Sequence, residues 1–138
     1  MRVRKASLFI TIAVCVLLCG CGPTTTWSAE ARSPNGDWLA IARSEQWSGP
    51  GNAYDASTVY LKSLKGAEPP TPVLGFSHEY ATMNLNMQWV TPTHLQVTYK
   101  ESARPGDHVR LNLQIARYAG IDISAQYLSS DDAEGKSK

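Results

Sequence analysis

The chain has 138 residues, with 13 Lys+Arg against 12 Asp+Glu and 43% hydrophobic residues. That length holds one domain and leaves no room for a second, and a near-neutral charge without a basic run argues against nucleic-acid partners. The first 20 or so residues read as a removable segment, which leaves 118 residues from Cys21 to Lys138. A domain of that size buries roughly two thirds of its unfolded surface, enough for one modest core.

The N-terminus is built in three parts. Arg2, Arg4 and Lys5 form a positive region, residues 8–18 are an apolar stretch, and Cys19-Gly20-Cys21 is a small-residue exit. The stretch has the length of a signal-peptide core and falls short of the ~20 residues that a spanning helix needs. It is expected to direct export and then be removed.

Leu18-Cys19-Gly20-Cys21 resembles the lipobox of bacterial lipoproteins, in which an aliphatic residue, a loosely restricted one and a small one precede the cysteine that receives lipid. Cys21 fits that cysteine; Cys19 does not, because the bulky Leu18 precedes it. Cys at the loose position departs from the Ala, Ser or Thr more usual there. The resemblance covers only the first 21 residues. It implies a signal peptide over 1–20, a diacylglyceryl thioether on Cys21 and a further acyl chain, such as palmitate, on its amine. Each buried methylene contributes about 0.8 kcal/mol, and anchoring becomes stable once more than one chain inserts. The resemblance further implies a periplasm-facing protein on a cell membrane. Gly22, in place of the Asp that retains such proteins at the inner membrane, favours the outer membrane of a Gram-negative cell.

Cleavage changes the chemistry of what remains. Cys15 and Cys19 leave with the signal peptide and Cys21 is capped, so the mature domain has neither a free thiol nor a disulfide, although its compartment would permit one. Cysteine nucleophiles and cysteine zinc sites are thereby excluded. Loss of three of the 13 basic residues against 12 acidic ones leaves a net charge near −2.

Next comes a polar, proline-containing stretch, and residues 21–36 are expected to be a tether with Trp27 docking back. An all-β domain is expected over 37–128 and a disordered tail over 129–138, where no aliphatic side chain larger than Ala occurs. Within the domain the hydrophobic period is two. Leu85, Met87 and Trp89 alternate with Asn86 and Gln88, and Leu95, Val97 and Tyr99 with Gln96 and Thr98. Each run therefore has one dry face, and Thr91-Pro92-Thr93-His94 between them predicts a hairpin. Further strands are expected over 38–43, 57–64, 73–77 and 109–127, the last with a bulge or bend at Ala119-Gly120. The mature chain carries no three-turn helical stripe. The fold expected is all-β: about six or seven antiparallel strands as a small sandwich or open barrel.

Ser33-Pro34-Asn35-Gly36-Asp37-Trp38-Leu39-Ala40 resembles the Ser-Pro-Asp-Gly opening of a β-propeller blade, in which a turn feeds an inner strand. Blades run to about 40–45 residues and at least four are needed, so this chain cannot close a propeller. The resemblance implies only a turn followed by a strand. The chain as a whole is also similar to small uncharacterised envelope lipoproteins, which implies no activity.

Catalytic patterns are scarce. His78, His94 and His108 lie far apart without ligand spacing, each beside a predicted turn, and are expected to be solvent-exposed. No nucleophile elbow, SxxK or P-loop occurs, and Asp37, Asp55, Glu79 and Asp122 could serve as paired carboxylates only if folding gathered them. Neither an enzyme, a metal nor a cofactor is expected. The loop expected over 45–56 is distinctive: Trp47 and Tyr54 flank two glycines and a proline, and exposed rings there would stack on sugars or anchor a partner. Alternatively, both rings close one end of the core. The function expected is a membrane-anchored binding or assembly module that meets a periplasmic protein or peptidoglycan. The alternative is an inhibitor or immunity-type lipoprotein blocking a cell-wall hydrolase or toxin, a class that generally relies on a disulfide.

Overall fold

A computed structural model describes residues 22–49, 52–78, 83–100 and 109–128. Residues 1–20, expected as a signal peptide, residues 129–138, expected as a disordered tail, and Cys21, Glu79 and His108 lie outside the described residues. Among the described residues nine strands follow in chain order: β1 (Thr24–Arg32), β2 (Trp38–Gly49), β3 (Asn52–Ser63), β4 (Thr71–His78), β5 (Asn84–Thr91), β6 (His94–Lys100), β7 (Arg110–Gln114), β8 (Arg117–Tyr118) and β9 (Ile121–Tyr127). They form two sheets, β1-β2-β3-β4-β7 and β5-β6-β9-β8. The fold is all-β, and among the described residues no helix is long and apolar enough to cross a membrane.

The two sheets share one core. Ala40, Ala42, Val59, Leu61, Leu74 and Phe76 from the larger sheet meet Leu85, Leu95, Val97, Ile121 and Ile123 from the smaller. These are the alternate positions of their strands, as a half-buried sheet requires. Ring contacts and hydrogen bonds tie the sheets together, among them the Thr71 hydroxyl 3.0 Å from the Tyr118 hydroxyl. Phe76 packs on Tyr99 with ring centroids 4.8 Å apart, Trp38 meets Tyr118 edge-on at 6.3 Å, and the Trp89 indole Nε1–H donates to the Ala31 carbonyl at 3.0 Å. The last bond joins edge strand β1 to edge strand β5, so the side of the sandwich is latched at the Ala31 end.

Several expectations are corrected. Most of the stretch expected as a tether is β1, paired with β2 from Thr24↔Gln46 to Arg32↔Leu39. Its inward residues Trp27, Ala29 and Ala31 alternate with polar ones, but small alanines make a weak hydrophobic signal. The 45–56 loop is instead the far half of a long hairpin: β2 and β3 pair without interruption from Trp38↔Ser63 to Gly49↔Asn52. One pairing is parallel, β6 with β9. Between them the chain crosses to the larger sheet as β7 and returns, which supplies the crossover that a parallel pair needs. Ala119 and Gly120 are a turn rather than a bulge; both have positive φ, 48° and 82°, the requirement of a two-residue hairpin of the primed type between β8 and β9.

The Ser33–Asp37 turn does feed a strand. The Ser33 side chain is buried, its Oγ donates to Asn35 Oδ1 at 2.7 Å and accepts from the Trp38 amide at 3.0 Å, and the Gly36 amide donates to the Ser33 carbonyl. Asp37 then pairs with Lys65 at 2.8 Å. The hairpin at Thr91–His94 is present as expected, its turn supplied by Pro92 and Thr93.

Two substitutions test this core and turn by urea unfolding. Leu95→Ala, at a fully buried position, is expected to cost about 3 kcal/mol, against less than about 0.5 for Val90→Ala on the surface. Gly120→Ala meets no atom within 4 Å of its new Cβ, so its expected loss of about 1 kcal/mol comes from backbone strain alone.

Candidate functional site

The register of the larger sheet aligns residues in rows across the strands. Facing the core, Ala29, Ala42, Val59 and Leu74 form one row; the next is Trp27, Ser44, Ser57 and Phe76; the next brings Gln46, Asp55 and His78 together. The inner face thus passes from apolar to polar within two rows, toward the end where β1 begins. Packing gives way to a cleft there. Its volume is about 760 Å³, and Trp27, Ser44, Asp55, His78, Leu85 and Lys100 are among its walls. That size falls within the roughly 300–1,000 Å³ of small-molecule sites.

A bulge in β1 shapes one wall. Thr25 pairs with Glu45 and Trp27 with Ser44, so Thr26 is the extra residue. Two consecutive side chains, Thr26 and Trp27, therefore line the cleft where a regular strand would offer one. The Thr26 hydroxyl donates to the Ser44 carbonyl at 3.2 Å, which holds the bulge in place.

The floor is a chain of hydroxyls. Ser44 Oγ lies 2.7 Å from Ser57 Oγ, which lies 3.2 Å from Nε2 of His78. The direction of these bonds follows the tautomer of the imidazole. Ser57 is 1% exposed and His78 4%. A substrate carbonyl therefore has no access to Ser57, and the array fixes the orientation of the Ser44 hydroxyl at the cleft wall. Burial of His78 corrects the expectation of an exposed loop histidine. Its parity is the reason: it continues the inward series Leu74, Phe76 of β4. His94 is half-buried and bonded to Ser124 at 2.9 Å.

The carboxylates are dispersed. Asp55 lines the cleft, while Asp37 and Asp122 are engaged by Lys65 and Arg117. Among the described residues no group of His, Cys, Asp and Glu could hold a metal ion.

Trp47 and Tyr54 lie directly across the hairpin from each other on the outer face of the larger sheet, with rings 6.2 Å apart and inclined by only 6°. They are 42% and 47% exposed, so they neither close the core nor enter the cleft. Residues 50–51, between the two glycine-flanked ends of the hairpin, lie outside the described residues.

Sequence reasoning singled out this aromatic pair, placed Trp27 in a tether that docks back and His78 in an exposed loop, and gave Ser44 and Ser57 no role. The signal was present in strand parity. Ala40, Ala42, Ser44, Gln46 and Leu61, Val59, Ser57, Asp55 are each one continuous inward series whose polarity changes midway. A comparison of the chain with protein-family models, with curated proteins and with solved structures finds no match.

The hydroxyl array is tested by Ser57→Ala. Removing the buried link between Ser44 and His78 is expected to cost about 2 kcal/mol in urea unfolding, and Ser44→Ala, at a half-buried position, about half as much.

Proposed function

We propose that the protein is an envelope lipoprotein, anchored by lipid on Cys21, whose sandwich is a non-enzymatic binding module. The observation that carries the binding part is the cleft at the β1 end, whose lining joins the apolar Trp27, Met83 and Leu85 to the fixed polar groups of Ser44 and His78. A mostly preformed cavity with a few oriented polar groups is the usual form of a ligand or partner site. The anchoring part rests on the lipobox resemblance at Leu18-Cys19-Gly20-Cys21. Gly22 favours the outer membrane, and the natural partners in that compartment are a periplasmic protein or the cell wall.

The anchor is tested by labelling cells with a palmitate analogue and separating membranes: label and membrane partition are expected in the wild type and lost in Cys21→Ser. The module is tested by cross-linking in envelope extracts with wild type and Gln46→Trp, at an exposed position of the inward row that lines the cleft. One cross-linked partner is expected to disappear in the variant, with thermal stability unchanged. If every cross-link survives in Gln46→Trp, the cleft is not the binding site. If the lost partner is a cell-wall hydrolase, the module acts as an inhibitor.

A further inference from the structure

Every exposed aromatic residue among the described ones, Trp27, Trp47, Tyr54 and Tyr127, lies at one end of the sandwich. It is the end at which β1 starts. Only Gly22 and Pro23 separate Thr24 from Cys21, and a fully extended chain advances at most about 3.6 Å per residue, so Thr24 lies within about 11 Å of Cys21. The register carries the comparison further. Thr24 pairs with Gln46, and β2 continues three residues beyond that pair to Gly49, in the direction from which β1 comes. The hairpin that bears Trp47 and Tyr54 therefore projects about as far as the segment leading to Cys21 can reach.

We infer that this end seats on the bilayer that holds the Cys21 lipid, with Trp27, Trp47, Tyr54 and Tyr127 in the headgroup region. The inference rests on the lipid-anchor reading above. Trp and Tyr suit that environment because each joins a large apolar ring to a polar N–H or O–H, and both are enriched at membrane–water boundaries. Electrostatics do not supply an alternative: the described charges near this end, Glu45, Asp55, Lys100 and Arg110, are of mixed sign. The opposite end, with the Ser33–Asp37, Thr91–His94 and Ala119–Gly120 turns, exposes no aromatic residue. Seating in this orientation places the cleft close to the headgroups and explains why the Trp47–Tyr54 pair stays outside it.

The test uses the full lipoprotein purified from cells and reconstituted in uncharged phosphatidylcholine vesicles whose acyl chains are brominated close to the headgroup. All four tryptophans, Trp27, Trp38, Trp47 and Trp89, fall within the described residues, and bromine quenches only rings near it. The same sample is weighed by mass spectrometry for acyl chains on Cys21. With the acyl chains present, substantial quenching is expected in the wild type. It should fall at least twofold in Trp27→Phe/Trp47→Phe, whose remaining Trp38 and Trp89 are packed against the core; an unchanged melting temperature confirms that this variant folds. An acylated protein without quenching, or with quenching that the double variant leaves unchanged, overturns the orientation while the anchor stands. Shielding of these tryptophans from iodide by soluble peptidoglycan fragments, with no quenching by lipid, would assign the rings to a glycan and overturn it as well. A mature protein without acyl chains overturns the anchor and the orientation together.

Discussion

The register between β2 and β3 is the constraint on which the rest of the molecule depends. A strand displaced by one residue turns every side chain to the other face. Here a slip would turn one of the two strands over, bringing Ile41 and Arg43 inward in place of Ala40 and Ala42, or Tyr60 inward in place of Val59 and Leu61, and removing that strand's share of the core. The same register puts Ser44 beside Ser57 and Gln46 beside Asp55, and it sets Trp47 against Tyr54 on the outer surface. Core, cleft and aromatic pair are thus consequences of one alignment. With no cysteine among the described residues, packing between the sheets carries the stability, helped by aromatic pairs that contribute about 0.5–1.5 kcal/mol each beyond their area.

The sandwich is asymmetric along its strands. At the Ala31 end the facing edges of β1 and β5 are joined through the Trp89 indole, and the rows between the sheets are apolar. Toward the β1 start the rows turn polar, the edge bulges at Thr26, and a cleft takes the place of the core. In that region the Ser44 and Ser57 hydroxyls and Nε2 of His78 are bonded in a chain, so their burial costs less than burying the same atoms unpartnered. An end that sacrifices core for a structured cavity is the end from which binding is expected.

Much of this was legible in the sequence where large side chains alternate strictly. The Leu85–Trp89 and Leu95–Tyr99 runs gave their strands, their dry faces and the intervening turn. Alternation carried by alanine was not legible: Ala29 and Ala31 signal burial too weakly to distinguish β1 from a linker, and Ala40-Ile41-Ala42 hides which face is inward. The long hairpin was obscured because Gly, Pro and Asn near its tip marked a loop, whereas pairing persists to Gly49↔Asn52. The cleft escaped notice because its polar residues occupy core-facing parity, a feature visible only once register is known. His78 shows the difference most clearly, since a histidine next to a turn is ordinarily solvated and this one extends an inward row.

The start of β1, the cleft and the exposed rings converge on one end of the domain, and the proposed orientation of that end toward the membrane is the claim that joins them. Hydrogen exchange measured on the purified protein in vesicles, against its Cys21→Ser form, addresses it most directly. The account requires added protection of amides at the start of β1, the end of β2 and the start of β3, with the Ser33–Asp37 and Thr91–His94 turns unchanged. Protection confined to those turns, or none at either end, would contradict it.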